Sequence, residues 1–596
     1  MDEKMESRNR YLIAFVLLVA AAIYIPTLLA PPHLMDDVDA VQAQIARNML
    51  DSGDWVSARL DGVLYLEKSP LKYWMMACSY AIFGVHDWAA RLPVVLSILA
   101  LTALIFCMGR WAFSELAGFY AALAFSTCIG LFLFTRILIP DIILTGTIAL
   151  ALWGLLRALD EKEEHPRLWA AIMAVAMGVG LLLKGLIALV FPVAAGVCYL
   201  LFSGMFFQWK TWQRLRPFSG TLLILLVAAP WHILATLANP PYFDFSMTSG
   251  PGNYRGFFWF YFFNEHILRF LNRRWPRDYN TVPRYLFWLF HLLWFFPWSI
   301  YLPRLVRFNY RGAGRAERLR LLCLCWIGFI LIFFTFSTTQ EYYSMPTYPA
   351  FALLIGCAMA ERNNYARHAT KALAVISGLA LAAIGFILVN VWNLPTPGDI
   401  SQALTQNPDM YTLSLGHMGD LTLKSFAYLK TPLVMAGLAF LCGTIVTLRY
   451  RERMTHYGLA LMMVLFLNAA RVAMKTFDPY LSSQPIAARL TASQPGLVIF
   501  GDQYYNFSSV FFYANLKQAL LLNGRYNNLE YGSYAPGAPN VFVDDAQLRA
   551  YWHAPQRAYL ILEGPKLPAI ESLLGKQDLH LVLESGGKYL FVNQQP

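Results

Sequence analysis

Charge is what this sequence has least of. Of 596 residues only 14% are Asp, Glu, Lys or Arg, against 57% hydrophobic and 15% aromatic, and the mean hydropathy is +0.45. A chain this long and this apolar is excluded as a soluble enzyme and reads as a polytopic membrane protein. Ionisable residues are scarce in the middle of the apolar runs, which argues against a proton relay or an ion pathway through the midplane. All eight cysteines fall in or beside apolar segments and the polar C-terminal part has none, so neither a disulfide framework nor a cysteine-metal spacing is indicated. No repeat with a period of roughly 20–50 residues and no low-complexity segment is present. The formal charge of +11 sits in short Lys/Arg clusters between apolar runs. These are topology signals, and nucleic-acid binding is rejected.

What is present is a series of apolar runs, near 11–30, 89–109, 115–135, 139–158, 168–184, 185–206, 218–237, 284–304, 320–337, 346–360, 371–392, 430–448 and 457–476. The first follows Lys4, Arg8 and Arg10, has about the 20 residues a spanning helix needs, and stops at Pro31-Pro32. A signal peptide would have a shorter core and a small-residue cleavage site. The positive-inside rule puts the N-terminus in the cytoplasm. Threading from there gathers Arg110, the segment DEKEEHPR (160–167), Lys210/Arg214/Arg216, the Arg307–Arg320 cluster, Arg362/Arg367/Lys371 and Arg449/Arg451/Arg453 on the cytoplasmic side. Stretches 31–88, 238–283, 338–345 and 393–429 lie outside, with everything after about 477. The expected organisation is a membrane domain over 1–476, with outer loops 31–88 and 238–283, and a small periplasmic α/β domain over 477–596. In the latter, GLVIF (496–500) and AYLILEG (558–564) read as buried strands, and LHLVLESGGKYLFVNQ reads as a hairpin turning at Gly586-Gly587. Asp544 caps one helix, and Pro568 to Leu574 form another.

The outer loop 238–283 breaks the charge rule by carrying Arg255, Arg269, Arg273, Arg274 and Arg277, which asks for an anionic ligand or lipid headgroups. Other charges collect on the same side: Asp36, Asp37, Asp39, Glu67, Lys68, Lys72, Arg136, Asp141, Lys184, Glu265, His266 and Glu341. Such a gathering at a water–lipid boundary fits a substrate that is half lipid and half polar. Lys68, Lys184, Arg255 and Arg269 are cations for a lipid phosphate, each contact worth around 4 kcal/mol at an effective dielectric near 20, before desolvation. Displacing that phosphate from a sugar with inversion needs one carboxylate to take the acceptor's proton, and Asp37 or Asp39 is placed for it. Each motif also has an ordinary reading. Asp36-Asp37-x-Asp39 can cap the segment 38–50. Glu67-Lys68 can be a surface pair, Glu265 and Arg269 an i, i+4 pair, and Pro140-Asp141 a helix start. The weight of the functional reading comes from their facing outward together.

The motifs DDVDAVQAQIARNMLDSGDWV, YLEKSPLKYW, LLKGLIALVFP (181–192), NEHILRF (264–270) and EYYSMPTYPAFALL (341–354) occur in this order. Through them the chain resembles the bacterial polyprenyl-phosphate-sugar glycosyltransferases of the C-type membrane fold. It is most similar to the lipid A aminoarabinose transferase family and more distantly to protein O-mannosyltransferases. The resemblance covers roughly 10–360, and the C-terminal domain is similar only in placement. It implies about thirteen transmembrane helices with outer juxtamembrane helices, in the inner membrane. It also implies an inverting transfer in the periplasm from an undecaprenyl phosphate sugar, without a nucleotide. The acceptor it implies is lipid A or another envelope glycolipid or glycan, and the more distant relatives imply a secreted protein. By motif, Glu67 and His266 match positions that hold a divalent ion, with zinc the expected metal. Lys68 and Arg269 match positions near the carrier phosphate, and Asp141 matches an acidic position beside the sugar. The family's first acidic position is Asp-Glu; ungapped counting from Arg47-Asn48-Met49-Leu50 puts Val38 and Asp39 there, so the base is Asp37 with a one-residue slip, or Asp39 without it. Two other classes compete: a secondary transporter, which would show inverted repeats and a midplane site, and a lipid-headgroup sensor, for which the acidic cluster would be superfluous.

Overall fold

The computed structural model describes residues 2–277, 282–337, 339–361, 364–404, 420–450 and 453–594. Arg362, Arg451 and residues 405–419 of the outer stretch 393–429, all used in the sequence reading, lie outside the described residues.

Each predicted apolar run coincides with a helix. Among the described residues nine helices are long and apolar enough to cross a bilayer alone: Arg10–Leu28, Asp87–Ala112, Asp141–Leu159, Pro166–Lys184, Trp209–Ala238, Arg315–Phe336, Tyr365–Val391, Lys430–Arg449 and Met454–Leu481. A tenth candidate is a pair bent by 101° between Arg284–Trp294 and Trp298–Leu305. The remaining runs form shorter or broken helices, at Glu115–Thr127 with Ile129–Phe134, at Ile187–Phe202 and at Tyr348–Ala360. The protein is therefore a multi-pass membrane protein.

Its centre is held by small residues that bring helix backbones into contact, as expected where lipid supplies no hydrophobic drive between helices. A Cβ on Gly109 would sit 2.6 Å from Gly118 Cα, and one on Gly356 would sit 2.4 Å from Ala121 N. Large apolar side chains of the outer helices, such as Phe218, Leu222 and Leu226, remain exposed toward the lipid.

Segments 157–163, 210–216 and 304–320 converge at one end of the bundle. Arg315 pairs with Asp160 at 2.6 Å and Lys210 with Glu161 at 3.1 Å. The opposite end carries the juxtamembrane helices Val38–Ser52 and Leu71–Phe83, a short hairpin of β1 (Arg59–Leu60) and β2 (Val63–Leu64), and a six-stranded sheet.

That sheet comprises β3 (Leu497–Phe500), β4 (Leu520–Leu522), β5 (Phe542–Val543), β6 (Ala558–Glu563), β7 (His580–Ser585) and β8 (Lys588–Val592), in the order β5-β4-β3-β6-β8-β7. The first four are parallel and β8 and β7 close the sheet antiparallel. The predicted strands, the hairpin at Gly586-Gly587 and the helices Asp545–Trp552 and Leu567–Leu574 are all present, the first helix with an Asp544–Gln547 capping box. Strands β4 and β5 carried no legible pattern, being three and two residues long.

The sheet domain sits tightly on the membrane part. A Cβ on Gly532 would lie 1.9 Å from Leu64 O, and Lys588 pairs with Asp36 at 2.5 Å.

Candidate active site

A cavity of about 1050 Å³ lies between the helix bundle and the sheet. Its walls bring together Asp37, Asp39, Glu67, Lys68, Asp141, Lys184, His266 and Arg269, which come from segments spread over more than 200 residues of sequence. One flank is apolar, with Ile187, Val190, Phe191, Phe270, Phe333 and Phe334; the flank under the sheet is polar.

Asp37 stands at the N-cap of helix Val38–Ser52, yet its side chain makes no capping bond. Its φ of 69° is rare for a residue with a Cβ. The surrounding chain holds that geometry: the Asp37 N–H donates to Tyr505 O at 2.8 Å, and its C=O accepts from Ser508 Oγ at 3.2 Å. Asp39 is used differently. It is 2% exposed and accepts from the Leu138 and Met35 backbone N–H groups at 3.0 and 3.2 Å, with Arg91 at 3.9 Å. Burial pushes its carboxyl above the usual range, opposed by Arg91 and the two backbone donors.

Opposite lies an ion network. Glu67 Oε1 accepts from Lys68 at 2.6 Å, with Arg269 at 3.4 Å and Arg274 at 3.6 Å, and Oε2 accepts from Tyr65 Oη at 2.7 Å. Burial would push the Glu67 carboxyl up, but Lys68, Arg274 and Arg269 outweigh it and hold it well below its ordinary range. Glu265 pairs with Arg269 at 2.5 Å and with Arg274, so the Glu265/Arg269 pair is part of a buried network rather than a surface pair. Lys184, at the end of helix Pro166–Lys184, donates to Asp141 Oδ1 at 2.6 Å and lies 5.1 and 5.0 Å from the rings of Tyr342 and Tyr343. Asp141 begins its helix and is 2% exposed, and its Oδ2 has no partner among the described residues.

Counting this wall, Lys68, Lys184, Arg269 and Arg274 face Glu67, Glu265 and Asp141, an excess of one positive charge. The side chains of Lys68, Arg269 and Lys184 keep 24, 18 and 16% exposure, whereas Arg274 keeps 3%. The first three can meet an incoming anion; Arg274 braces the carboxylates.

Four residues grouped with these by sequence lie elsewhere. Arg255 does not line the cavity; its guanidinium pairs with Asp244 at 2.7 Å and bonds Ser246 at 3.0 Å. Its charge is satisfied within its own loop. Lys72 is buried and donates to Gln42 at 3.2 Å. Arg136 and Glu341 are likewise buried off the cavity. The loop arginines are in part answered by protein carboxylates, so their presence does not by itself demand a ligand.

Glu67 and His266 do not fit a metal site. The π-helix Trp259–Leu268 turns His266 so that Nδ1 donates to Tyr261 O at 2.5 Å, while Nε2 accepts from the Leu186 N–H at 3.0 Å. Both ring nitrogens are engaged, burial holds the ring below its ordinary pKa, and both Glu67 oxygens already accept from protein donors. Among the described residues no group of three or more His, Cys, Asp or Glu could hold an ion.

Sequence reasoning missed the sheet's contribution to the cavity. Asp502, Asn506, Tyr526, Asn527, Glu563, Lys566 and Lys588 all line it. Asp502 and Glu563 stand at the ends of the two predicted strands, a signal readable only once those strands are known to pair in parallel.

A multi-pass bundle with juxtamembrane helices, a capping sheet and a charged cavity between them has the C-type membrane glycosyltransferase fold. The solved structure of ArnT from Cupriavidus metallidurans bound to undecaprenyl phosphate matches 98% of this chain and 97% of its own at a TM-score of 0.77 and 21% identity. Its apo state matches 100% and 98% at a TM-score of 0.76. In sequence, the undecaprenyl phosphate-α-4-amino-4-deoxy-L-arabinose arabinosyl transferase of Pseudomonas aeruginosa LESB58 is 28% identical over 363 residues, covering 58% of this chain and 60% of that protein. The protein of the same description from Erwinia tasmaniensis is 26% identical over 400 residues, covering 65% and 66%. The chain thus spans about 60% of the length of the first curated relatives it matches. Residues 67–234 match the family described as dolichyl-phosphate-mannose-protein mannosyltransferase. The chain is thus similar in sequence to aminoarabinose transferases over 58% of its length, shares their fold, and over residues 67–234 is similar to the mannosyltransferase family.

Proposed function

We propose that this protein is an inverting glycosyltransferase that moves a sugar from a polyprenyl phosphate donor, undecaprenyl phosphate in its closest reading, to lipid A or another envelope glycolipid. The observation that carries the proposal is one cavity with a cationic wall, an apolar flank and a separate carboxylate, Asp37. Lys68, Lys184 and Arg269 bind the carrier phosphate, and the apolar flank from Ile187 to Phe334 takes the first isoprene units. Asp141 Oδ2 accepts a hydrogen bond from the sugar, because a buried acceptor left without a donor costs about 1–3 kcal/mol. Asp37 takes the acceptor's proton as its oxygen attacks the anomeric carbon, and the carrier phosphate leaves toward the three cations, which stabilise the charge that develops on it. Asp39 is a positioning residue that fixes the backbone at Met35 and Leu138.

The orientation that goes with this reading has a cytoplasmic N-terminus in the bacterial inner membrane and residues 477–596 as a periplasmic domain. No step is routed through a metal, because Glu67 and His266 do not fit one. Chelation is expected to leave transfer unchanged; loss on EDTA and recovery on zinc would contradict that.

Purified protein in detergent, given synthetic polyprenyl phosphate sugars and lipid A, a glycan or an unfolded secreted protein as acceptor, tests the proposal. Transfer or donor hydrolysis supports it. No donor consumed across the panel, with labelled solute crossing proteoliposomes, would replace it with transport.

A further inference from the structure

The sheet has its own binding geometry. Strands β4 and β5 run out on one side of β3, and the chain then returns to place β6 on the other side. The strand order reverses between β3 and β6, and in an open α/β sheet ligands bind in the crevice beyond the carboxyl ends of the strands at such a switch point. Here those ends are Phe500-Gly501-Asp502 and Glu563-Gly564, and they open onto the cavity just described.

The side chains at that point form a built polar surface. Asp502 is 6% exposed and fully used: Tyr526 and the Gln503 N–H donate to Oδ1, and Lys566 and Asn506 to Oδ2. Asn506 also donates to Glu563 Oε2 at 3.2 Å, and among the described residues this is the only hydrogen bond the Glu563 side chain makes. Glu563 thus presents one carboxylate oxygen without a protein hydrogen bond on the wall of the cavity, at the end of a chain of amides in which Asn527 donates to Gln503, Gln503 to Asn506 and Asn506 to Glu563. The surface is joined to the opposite side of the site. Lys588 donates both to Asp36 Oδ2 at 2.5 Å and to Asn506 O at 3.1 Å, and Asp37 is held by Tyr505, the residue before Asn506.

A carboxylate oxygen flanked by amides suits vicinal hydroxyls, each of which donates to one neighbour and accepts from the next. We propose that the β3/β6 switch point, with Glu563 as its recognising group and Asn506 as its positioning residue, is a saccharide subsite. It binds ring hydroxyls of one of the two sugars in the reaction, the transferred sugar or the acceptor glycan. The proposal rests on the glycosyltransferase reading above and adds the sheet domain to it as a specificity element.

The test uses full-length Glu563→Gln and Glu563→Ala in detergent, with thermal melts showing that both fold. Stabilisation by undecaprenyl phosphate, which has no sugar, is expected to equal that of wild type. Two rates are then read: donor hydrolysis without acceptor, and transfer to lipid A. If the subsite holds the transferred sugar, donor hydrolysis and donor kcat/KM fall roughly tenfold and discrimination between donors differing at one hydroxyl narrows. If it holds the acceptor, hydrolysis stays at the wild-type rate and KM for lipid A rises roughly tenfold. Folded variants with wild-type values in both assays would overturn the subsite while leaving the glycosyltransferase reading intact. A wild-type protein that neither hydrolyses nor transfers any donor would overturn both.

Discussion

At the scale of single residues, three carboxylates within four positions do three different jobs. Asp36 ties the sheet domain down through Lys588, Asp39 holds two backbone amides, and Asp37 lines the cavity from a backbone conformation that suits glycine. Strain of this kind costs about 1–3 kcal/mol, and glycine relieves it at an entropic cost of about 0.5–1 kcal/mol. Asp37→Gly is therefore expected to melt higher than wild type while losing transfer. A lower melting temperature would mean that the Asp37 side chain stabilises the fold by more than the backbone strain costs.

Arg274 offers the contrasting case. Buried against Glu67 and Glu265, it is expected to cost about 1–3 kcal/mol of stability when replaced by Ala, because each carboxylate loses its most buried charged donor while Lys68 and Arg269 remain. Lys68→Ala, at a more exposed position, should instead raise KM for the donor.

Glu341 gives a pH signature. It is 4% exposed, its Oε2 has no partner among the described residues, and burial pushes its carboxyl up to about 7. Its folded pKa exceeds its unfolded one, so the unfolded state sheds the proton first. Stability is full below the ordinary carboxylate range and declines as pH rises toward 7. Glu341→Gln should raise the melting temperature at pH 8 and leave it unchanged at pH 4; equal effects at both would show that the fold does not raise the Glu341 pKa.

At the scale of elements, the helices were legible and the bends between them were not. Apolar length marked every span, and basic clusters marked one end of the bundle, because both follow from transfer energetics that local sequence carries. The π-helical turn that commits His266 to Tyr261 and Leu186, and the pairing of Arg255 with Asp244 inside one loop, depend on tertiary geometry that spacing does not show. Motif matching for His266, and loop charge for Arg255, therefore placed them in roles the geometry does not support.

Gly185 shows how one such element is made. Its φ of 70° ends helix Pro166–Lys184, and a Cβ there would lie 2.1 Å from His266 Nε2. Gly185→Ala is expected to break the His266–Leu186 bond and displace Lys184, lowering transfer at least tenfold with a loss of about 1–3 kcal/mol of stability. Wild-type kinetics in that variant would remove this loop from the account.

At the scale of the whole molecule, the cavity proposed to hold the reaction exists only where two structures meet. The bundle supplies the cations, and the sheet supplies the opposite wall and the backbone clamp on Asp37. The sequence showed a small α/β unit following the spans but not that its strand ends face the membrane charges, since strand order and docking are properties of the assembled chain. Gly532→Val, set against Leu64 O, should loosen this docking. Limited proteolysis would then release the C-terminal part, with transfer lost.

The most direct measurement of the central claim is release of polyprenyl phosphate from a labelled donor by purified wild type, Asp37→Asn and Asp39→Asn, each checked by thermal melt. The account predicts turnover by wild type, its loss in folded Asp37→Asn, and turnover in Asp39→Asn to the extent that this less stable variant remains folded. Wild-type turnover in Asp37→Asn, with none in a folded Asp39→Asn, would contradict it and make Asp39 the base.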